Sequence, residues 1–431
     1  MTRRFSERQA YLLLAALAIA LFADVIVAGA GFHFRDIPRL YVPGDRVIHD
    51  VIAGGEFPLW NPRWSNGQPL AANPGFSVFY PILLLLFLFS FARGFAMQIV
   101  VSYVIAATGM FALLRSRDVS VFGAFFGAVI YGFGGMLASY SDLLPFLYAA
   151  SLLPWVGFFF TRYVDNPNRR DFAASALVLG CLLLTGEQSV ILQIGALLSL
   201  YAILKRRPIA LTIIAAAVLV AAVQLFPAID FQRDTPRAIG LPYATATFWS
   251  VPKARFLELF FPDLFGRWAS DAPQYWGSRF LRRFPSPFTS NIYASLAAAI
   301  FFAAGIARRI RGWSFAASVA LISYLLALGE NGPLFPLLYR AGFHSLRYPE
   351  KFLTSTIFIF SVFAAIVADR AVADDTSRKT SARIAAVVAA ITIASLILIS
   401  TPLGANLFGA IFQRGGAALA AARSGWMVMT I

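Results

Sequence analysis

Of 431 residues, one is cysteine, three are histidine and only 13% carry charge. A lone thiol, Cys181, allows no disulfide within the chain and no metal site of the cysteine-cluster kind. It lies inside an apolar run and reads as a small buried hydrophobe. The histidines, His33, His49 and His344, show neither an H-x-x-x-H nor a His/carboxylate spacing, so no metal motif is present. Acidic residues are scarce, 21 Asp+Glu against 36 Lys+Arg, which leaves a net charge of +15. The excess forms no contiguous basic face outside the apolar runs, and a nucleic-acid partner is excluded on that ground. There is no fixed-period repeat, and low complexity is confined to the Ala/Gly-rich stretch from Gly415 to Arg423.

Apolar residues dominate. At 59% hydrophobic and a mean hydropathy of +0.71, the chain has more apolar surface than a soluble core can cover. That surface arrives in runs near the ~20 residues that cross a ~30 Å hydrocarbon layer. The expected fold is all-α, a polytopic transmembrane helical bundle. We place spans near Ala10 to Gly31, Phe95 to Leu114, Val121 to Tyr140, Leu143 to Tyr163, Phe172 to Thr185, Ser189 to Leu204 and Ile209 to Phe226. Others follow near Ile292 to Ala307, Phe315 to Leu328, Phe352 to Ala368 and Ile384 to Ser400, about eleven in all. The first is read as an uncleaved span, because its apolar stretch exceeds the ~7 to 15 residues of a signal peptide. The run from Phe79 to Phe91 is too short to cross and reads as a juxtamembrane or re-entrant helix. One integral-membrane domain is expected over residues 1–431, with long loops at 33–78 and 227–291 and a C-terminal tail at 403–431. Short interfacial helices are expected in those loops.

Charge then orients the spans. With the N-terminus in the cytoplasm, Arg115 and Arg117, Arg162 to Arg170, Lys205 to Arg207, Arg308 to Arg311 and Arg370 to Arg383 all fall in inner loops. That side carries a net +11 and the outer side +5, with Asp24 inside the first span. This is the asymmetry of a multi-pass protein of a bacterial inner membrane. The two long loops lie outside, where length releases them from the rule.

The first outer loop contains Asp36, then Gly55 to Pro62 (GEFPLWNP), Gly67 to Ala71 (GQPLA) and Tyr80-Pro81. Further on are Gly186-Glu187-Gln188, Phe261 to Gly266 (FPDLFG) and Leu346 to Phe352 (LRYPEKF). In these motifs, from the first span to about Lys351, the chain resembles the bacterial YfhO-type membrane protein family, whose members belong with the GT-C glycosyltransferases. At the Gly186-Glu187-Gln188 segment relatives frequently carry a His-containing form. The resemblance implies a GT-C-like bundle that takes a sugar from a polyprenyl-phosphate-linked donor and gives it to an extracytoplasmic cell-envelope glycan, lipid or polymer. Membrane lipids are the remaining partners.

Such a transfer needs a carboxylate for the acceptor's proton and cations for the departing lipid phosphate. Asp36, just past the first span, is placed for the base, and the resemblance points to the same residue. It could equally pair with Arg35 or Arg39, and Asp45 and Asp50 are rivals for the role. Asp142 and Glu187, each between two apolar runs, are further catalytic candidates, since a carboxylate drawn into a bundle is functional by default. For the phosphate, Arg347 and Lys351 lie one helical turn apart, a bidentate fork and a point charge. With Tyr348 they also fit ordinary interfacial anchoring. Trp60 and Trp64 are suited to stacking on sugar faces or to a rigid interfacial platform, and Asn61 and Gln188 complete the substrate-binding candidates. Arg282 and Arg283 in the second loop are suited to drawing in an anionic lipid head. The sequence points to no certain cofactor, and a divalent cation is compatible with a phosphate leaving group. Two other readings use the same composition: a transporter or flippase of lipid-linked material, and a non-catalytic scaffold for envelope assembly.

Overall fold

In a computed structural model of the chain, residues 6–64, 66–266, 275, 277 and 286–401 are described. From the N-terminus the helices are α1 (Glu7–Leu21), α2 (Ala23–Val27), α3 (Val42–Ala53), α4 (Leu85–Leu88), α5 (Phe91–Arg115), α6 (Val121–Gly132) and α7 (Gly135–Ser139). Then come α8 (Leu144–Asp165), α9 (Arg169–Leu184), α10 (Gln188–Leu204), α11 (Thr212–Val220), α12 (Ala222–Arg233) and α13 (Tyr243–Ala246). The last are α14 (Leu296–Ala307), α15 (Trp313–Ala327), α16 (Leu334–Arg340), α17 (Leu353–Ala373) and α18 (Asp375–Ser400). The one described hairpin pairs β1 (Trp60–Asn61) with β2 (Gln68–Pro69).

Helices thus occupy all eleven expected positions. By length and hydropathy, Phe91–Arg115, Val121–Asp142, Leu144–Asp165 and Pro349–Ala373 can each cross a membrane. At Ile209 to Phe226, where one span is expected, the apolar run forms a bent pair of helices. Pro208–Val220 and Ala222–Arg233 meet at 75°, because Ala221 leaves helical geometry at φ −91°, ψ 5°. The first apolar run is also interrupted, at Phe22 between α1 and α2. Segment 79–91 forms a 3-10 turn, Pro81–Leu84, and the single turn α4. At ~1.5 Å per residue such a segment is far too short to cross.

Among the described residues the chain falls into two compact units, one from Met1–Val121, Tyr140–Pro242 and His344–Leu346, the other from Phe122–Ser139, Tyr243–Phe343 and Arg347–Ile431. In the first unit α5 packs along α8, α8 along α9, and α9 along α11. Close approach is made by small residues: a Cβ at Gly109 would lie 2.5 Å from the Trp155 ring, whose Nε1 donates to the Ile105 carbonyl at 2.9 Å. The helix starts are chemically marked. Ser6 and Gln9 form a capping box on α1, and Asn168 caps α9, satisfying amides that have no partner within the helix. The first loop has its own small core, in which Val47, Ile48, Leu70 and Phe76 pack together under Trp64.

In the second unit α14, α15 and α18 all pack against α17. Ile130 of α6, Ala298 of α14 and Ala364 of α17 form a buried cluster. Aromatic side chains fill the gaps around it, with Phe126 edge-on to Phe301 at 5.5 Å and Phe302 stacked on Phe360 at 4.8 Å.

Candidate functional site

In the first unit the site is built where the chain leaves the first helical region. Arg35 has a left-handed backbone, φ 49°, a conformation that is costly for a residue with a Cβ. It turns the chain so that its guanidinium Nε lies 3.4 Å from Asp142 Oδ2. Asp36 follows directly and begins a π-helical turn, Ile37–Tyr41, that buries Ile37 and Tyr41 on one side. A π-helical turn is a rare geometry that concentrates at functional sites.

Tyr41 feels the charge of the whole group. Burial pushes its hydroxyl well above the ordinary range; the negative charges of Asp36, Asp142 and Glu187 push it further, and Arg35 pulls it down. The three carboxylates proposed from the sequence therefore all lie near enough for their charge to act on one phenol. Asp142 sits in the turn Tyr140–Asp142 and is buried. Its Oδ2 has charge contact with Arg35 but no hydrogen-bond partner among the described residues. Glu187 is buried at the N-terminus of α10, where Oε1 accepts from the Ser189 amide at 3.1 Å. Its position depends on Gly186, at φ +74°, where a Cβ would lie 2.1 Å from the Pro74 carbonyl. Ser77 also donates to the Thr185 carbonyl at 2.8 Å, so the first loop is fastened against the α9–α10 turn. Gln188 accepts from Arg237 Nη1 at 2.8 Å.

The rivals to Asp36 have other partners. Asp45 is buried on α3 and accepts from Gln98 Nε2 at 3.2 Å, while Tyr148 donates to Gln98 Oε1. Burial pushes the Asp45 carboxyl up to about 7, with the Gln98 bond opposing the shift. Asp50 is exposed and lies among His49, Arg46 and Arg63, at 3.2, 3.5 and 3.8 Å. Asp24 takes the Val25 amide at 2.9 Å. Trp60 is exposed and its ring lies over Gly67, 2.6 Å from where a Cβ would be. Asn61 is buried beside it and accepts from the Arg63 amide at 3.0 Å, so this side chain organises the turn.

In the second unit the LRYPEKF motif opens the helical segment Pro349–Ala373. Tyr348 takes a left-handed backbone, φ 63°, and its ring collects both cations. Arg347 Cζ lies 4.4 Å from the ring centroid and Lys351 Nζ 5.4 Å from it. Trp249 and Phe288 pack on the same tyrosine, at 4.6 and 5.6 Å. Lys351 is buried, and the Nε of Arg347 is buried without a hydrogen-bond partner among the described residues.

Beneath them lies a charge cluster that sequence reasoning did not anticipate. Arg255 is fully buried and its guanidinium donates to Glu258 Oε2 at 2.6 Å, Glu350 Oε1 at 2.7 Å and the Thr289 carbonyl at 2.9 Å. Glu350 Oε1 also accepts from the Thr289 amide at 3.0 Å and from its hydroxyl. The two carboxylates hold the Arg255 pKa well above its usual value against the opposing effect of burial, while burial pushes the Glu258 carboxyl up to about 7. Glu350 is thus a buried anchor. Among the described residues no three His, Cys, Asp or Glu side chains are arranged to hold a metal ion. Arg282 and Arg283 lie outside the described residues.

Among solved structures, the fold is similar to that of ArnT from Cupriavidus metallidurans, crystallised with undecaprenyl phosphate. The TM-score is 0.51 at 14% identity, covering 98% of this chain and 76% of that one. The oligosaccharyltransferase of Archaeoglobus fulgidus in its apo form is a weaker match, TM-score 0.37 at 14% identity, covering 99% of this chain and 54% of that one. No family model and no curated protein matches the sequence. The chain is a multi-pass membrane helical bundle whose fold is similar to that of ArnT.

Proposed function

We propose that the protein is a membrane glycosyltransferase that moves a sugar from a polyprenyl-phosphate-linked donor to a cell-envelope acceptor on the outer side of a bacterial inner membrane. The observation that carries the reading is that the charges of Asp36, Asp142 and Glu187 all act on Tyr41, in a bundle whose fold is similar to one crystallised with undecaprenyl phosphate. The YfhO-like motifs contribute both the acid at residue 36 and the cations at residues 347 and 351.

Chemically, the acceptor hydroxyl gives its proton to Asp36 as its oxygen bonds to the sugar's anomeric carbon. The bond from that carbon to the donor phosphate breaks, and the electron pair leaves with the polyprenyl phosphate. Arg347 and Lys351 hold the phosphate and stabilise the charge it gains. Asp142 and Glu187 orient the acceptor, Trp60 offers a face for a sugar ring, and Gln188 and Asn61 contribute polar contacts. The N-terminus and the five basic loops lie in the cytoplasm. Labelling of cysteine introduced at Ser116 only after permeabilisation, and at Ser65 without it, supports that orientation, and the reverse pattern contradicts it.

One observation favours a second reading. The bend between α11 and α12 is the kind of interrupted helix that transporters use. Purified protein given a polyprenyl-phosphate sugar and an envelope extract should release polyprenyl phosphate and glycosylate the extract. Movement of the intact donor across proteoliposomes with no release would establish the flippase reading instead.

A further inference from the structure

The second unit carries a group of cations that the transfer chemistry does not use. The segment Pro349–Ala373 is 25 residues long, about 37 Å at 1.5 Å per residue. Arg347 and Lys351 stand at one end of it. At the other end is a cavity of about 310 Å³, lined by Arg308, Arg309, Arg311, Arg370, Asp374 and Ser377 among others.

The local sequence explains its shape. α14 ends at Ala307, and Arg309 turns the chain with a left-handed backbone, φ 48°. Ile310 is buried and its amide returns to the Gly305 carbonyl at 3.0 Å, which fixes the turn with three arginines projecting from it. Arg370 lies in the last turn of α17. Asp374 follows, and its carboxylate accepts from the Ser377 amide at 2.8 Å and the Thr376 amide at 3.4 Å, so it caps α18. With four arginines and one aspartate the lining has a net charge of +3. Among the described residues none of the four guanidinium groups is in an ion pair within 4.0 Å. Four like charges line one cavity, and its single acid caps α18 and feels the charge of Arg308. That arrangement favours an anion with several oxygens, which arginine forks bind bidentately.

The surroundings favour a lipid as the source of that anion. The cavity sits at the end of a spanning helix, and the helices that meet there expose Val372, Val387 and Ile391, side chains that match acyl chains rather than water. Basic pockets between spanning helices bind acidic headgroups for these reasons. We propose that this cavity binds the phosphate headgroup of an acidic phospholipid, at the membrane face opposite the Arg347–Lys351 end. The inference does not depend on sugar transfer and stands or falls separately from it.

The test is a titration of delipidated full-length protein in detergent with phosphatidylglycerol, phosphatidylcholine and inorganic phosphate. Wild type should bind phosphatidylglycerol and not phosphatidylcholine. The pair Arg308→Gln with Arg370→Gln should weaken that binding by roughly tenfold or more, at about one kcal/mol per cation near a lipid surface. Ala373→Trp, which fills the cavity without changing its charge, should do the same. Lys379→Gln with Arg383→Gln removes two charges outside the lining and should leave binding within about twofold. Equal losses in the two charge pairs would mean diffuse surface attraction and overturn the site. So would undiminished binding by Ala373→Trp, equal binding of phosphatidylcholine, or displacement of the lipid by inorganic phosphate at matching concentration.

Discussion

The two units treat buried charge in opposite ways. In the first, the charges of three carboxylates act on Tyr41, with Arg35 as the cation that acts on the same phenol. There the Arg35–Asp142 contact is 3.4 Å, and Asp142 Oδ2 accepts no hydrogen bond among the described residues. In the second, Arg255 donates to both carboxylates of its cluster and to a backbone carbonyl at 2.6 to 2.9 Å. A carboxylate that must take a proton needs unspent acceptor capacity, and a clamp that must hold a phosphate needs a fixed base. On the proposed mechanism the unpartnered oxygen of Asp142 belongs to the group that receives and directs the acceptor, and the fully bonded Arg255 to the base that holds the phosphate clamp in place.

The sharpest way to break this comparison is Arg255→Ala. It strands Glu258 and Glu350 in the interior and should cost about 3 to 5 kcal/mol, since unpairing a buried ion leaves its partner uncompensated. Thermal unfolding and the yield of monodisperse protein measure it. A shift no larger than that of a surface variant would show that the cluster is not an anchor. Next in size is Arg347→Ala, which should weaken binding of a polyprenyl-phosphate donor by roughly tenfold to a hundredfold, the loss expected for a charge-assisted contact. Asp142→Asn in the same titration should leave donor binding unchanged and lower turnover. If both variants lost binding equally, the division between reacting and positioning groups would fail.

A third prediction concerns Asp45, which lies in the first unit but outside the Tyr41 group. Its carboxyl is pushed up to about 7 by burial, against ~3.9 in an unfolded chain. Between those values the folded protein keeps a proton that the unfolded chain has released. Stability must then fall as pH rises through that window and level off above it. Asp45→Asn removes the dependence, so its stability relative to wild type should improve by on the order of 3 kcal/mol between pH 4 and pH 8. Unfolding midpoints at the two pH values measure it, and parallel profiles would contradict it. Smallest of all is Glu7→Ala, which removes the partner of Arg115 at 2.6 Å. Both side chains reach solvent, and a change under about 1 kcal/mol is expected.

The helices were legible because hydropathic runs of spanning length fix them, and Asp142 and Glu187 were legible because each interrupts such runs. The bend at Ala221 was not, since an alanine in an apolar run carries no breaking signal. Nor was the break at Phe22. The Arg255–Glu258–Glu350 cluster escaped because Arg255 and Glu350 are 95 positions apart, and spacing says nothing about a pairing made only by packing. The one available signal was composition: Glu258 and Arg255 share a helical face in an otherwise apolar stretch. The Asp45–Gln98–Tyr148 chain was hidden for the same reason, as Gln98 sits in a spanning helix among apolar neighbours. Tyr41 was overlooked because a tyrosine near a membrane surface reads as an interfacial anchor. Only its burial within reach of the charge of three acids distinguishes it.

The account rests on Asp36 as the base, and a single comparison tests it. Purified wild type and Asp36→Asn are measured for donor binding by titration and for transfer under saturating polyprenyl-phosphate sugar. A base acts in the transition state, so turnover should fall by roughly 10² to 10⁴ while donor binding stays unchanged. Transfer by Asp36→Asn at the wild-type rate would contradict the mechanism.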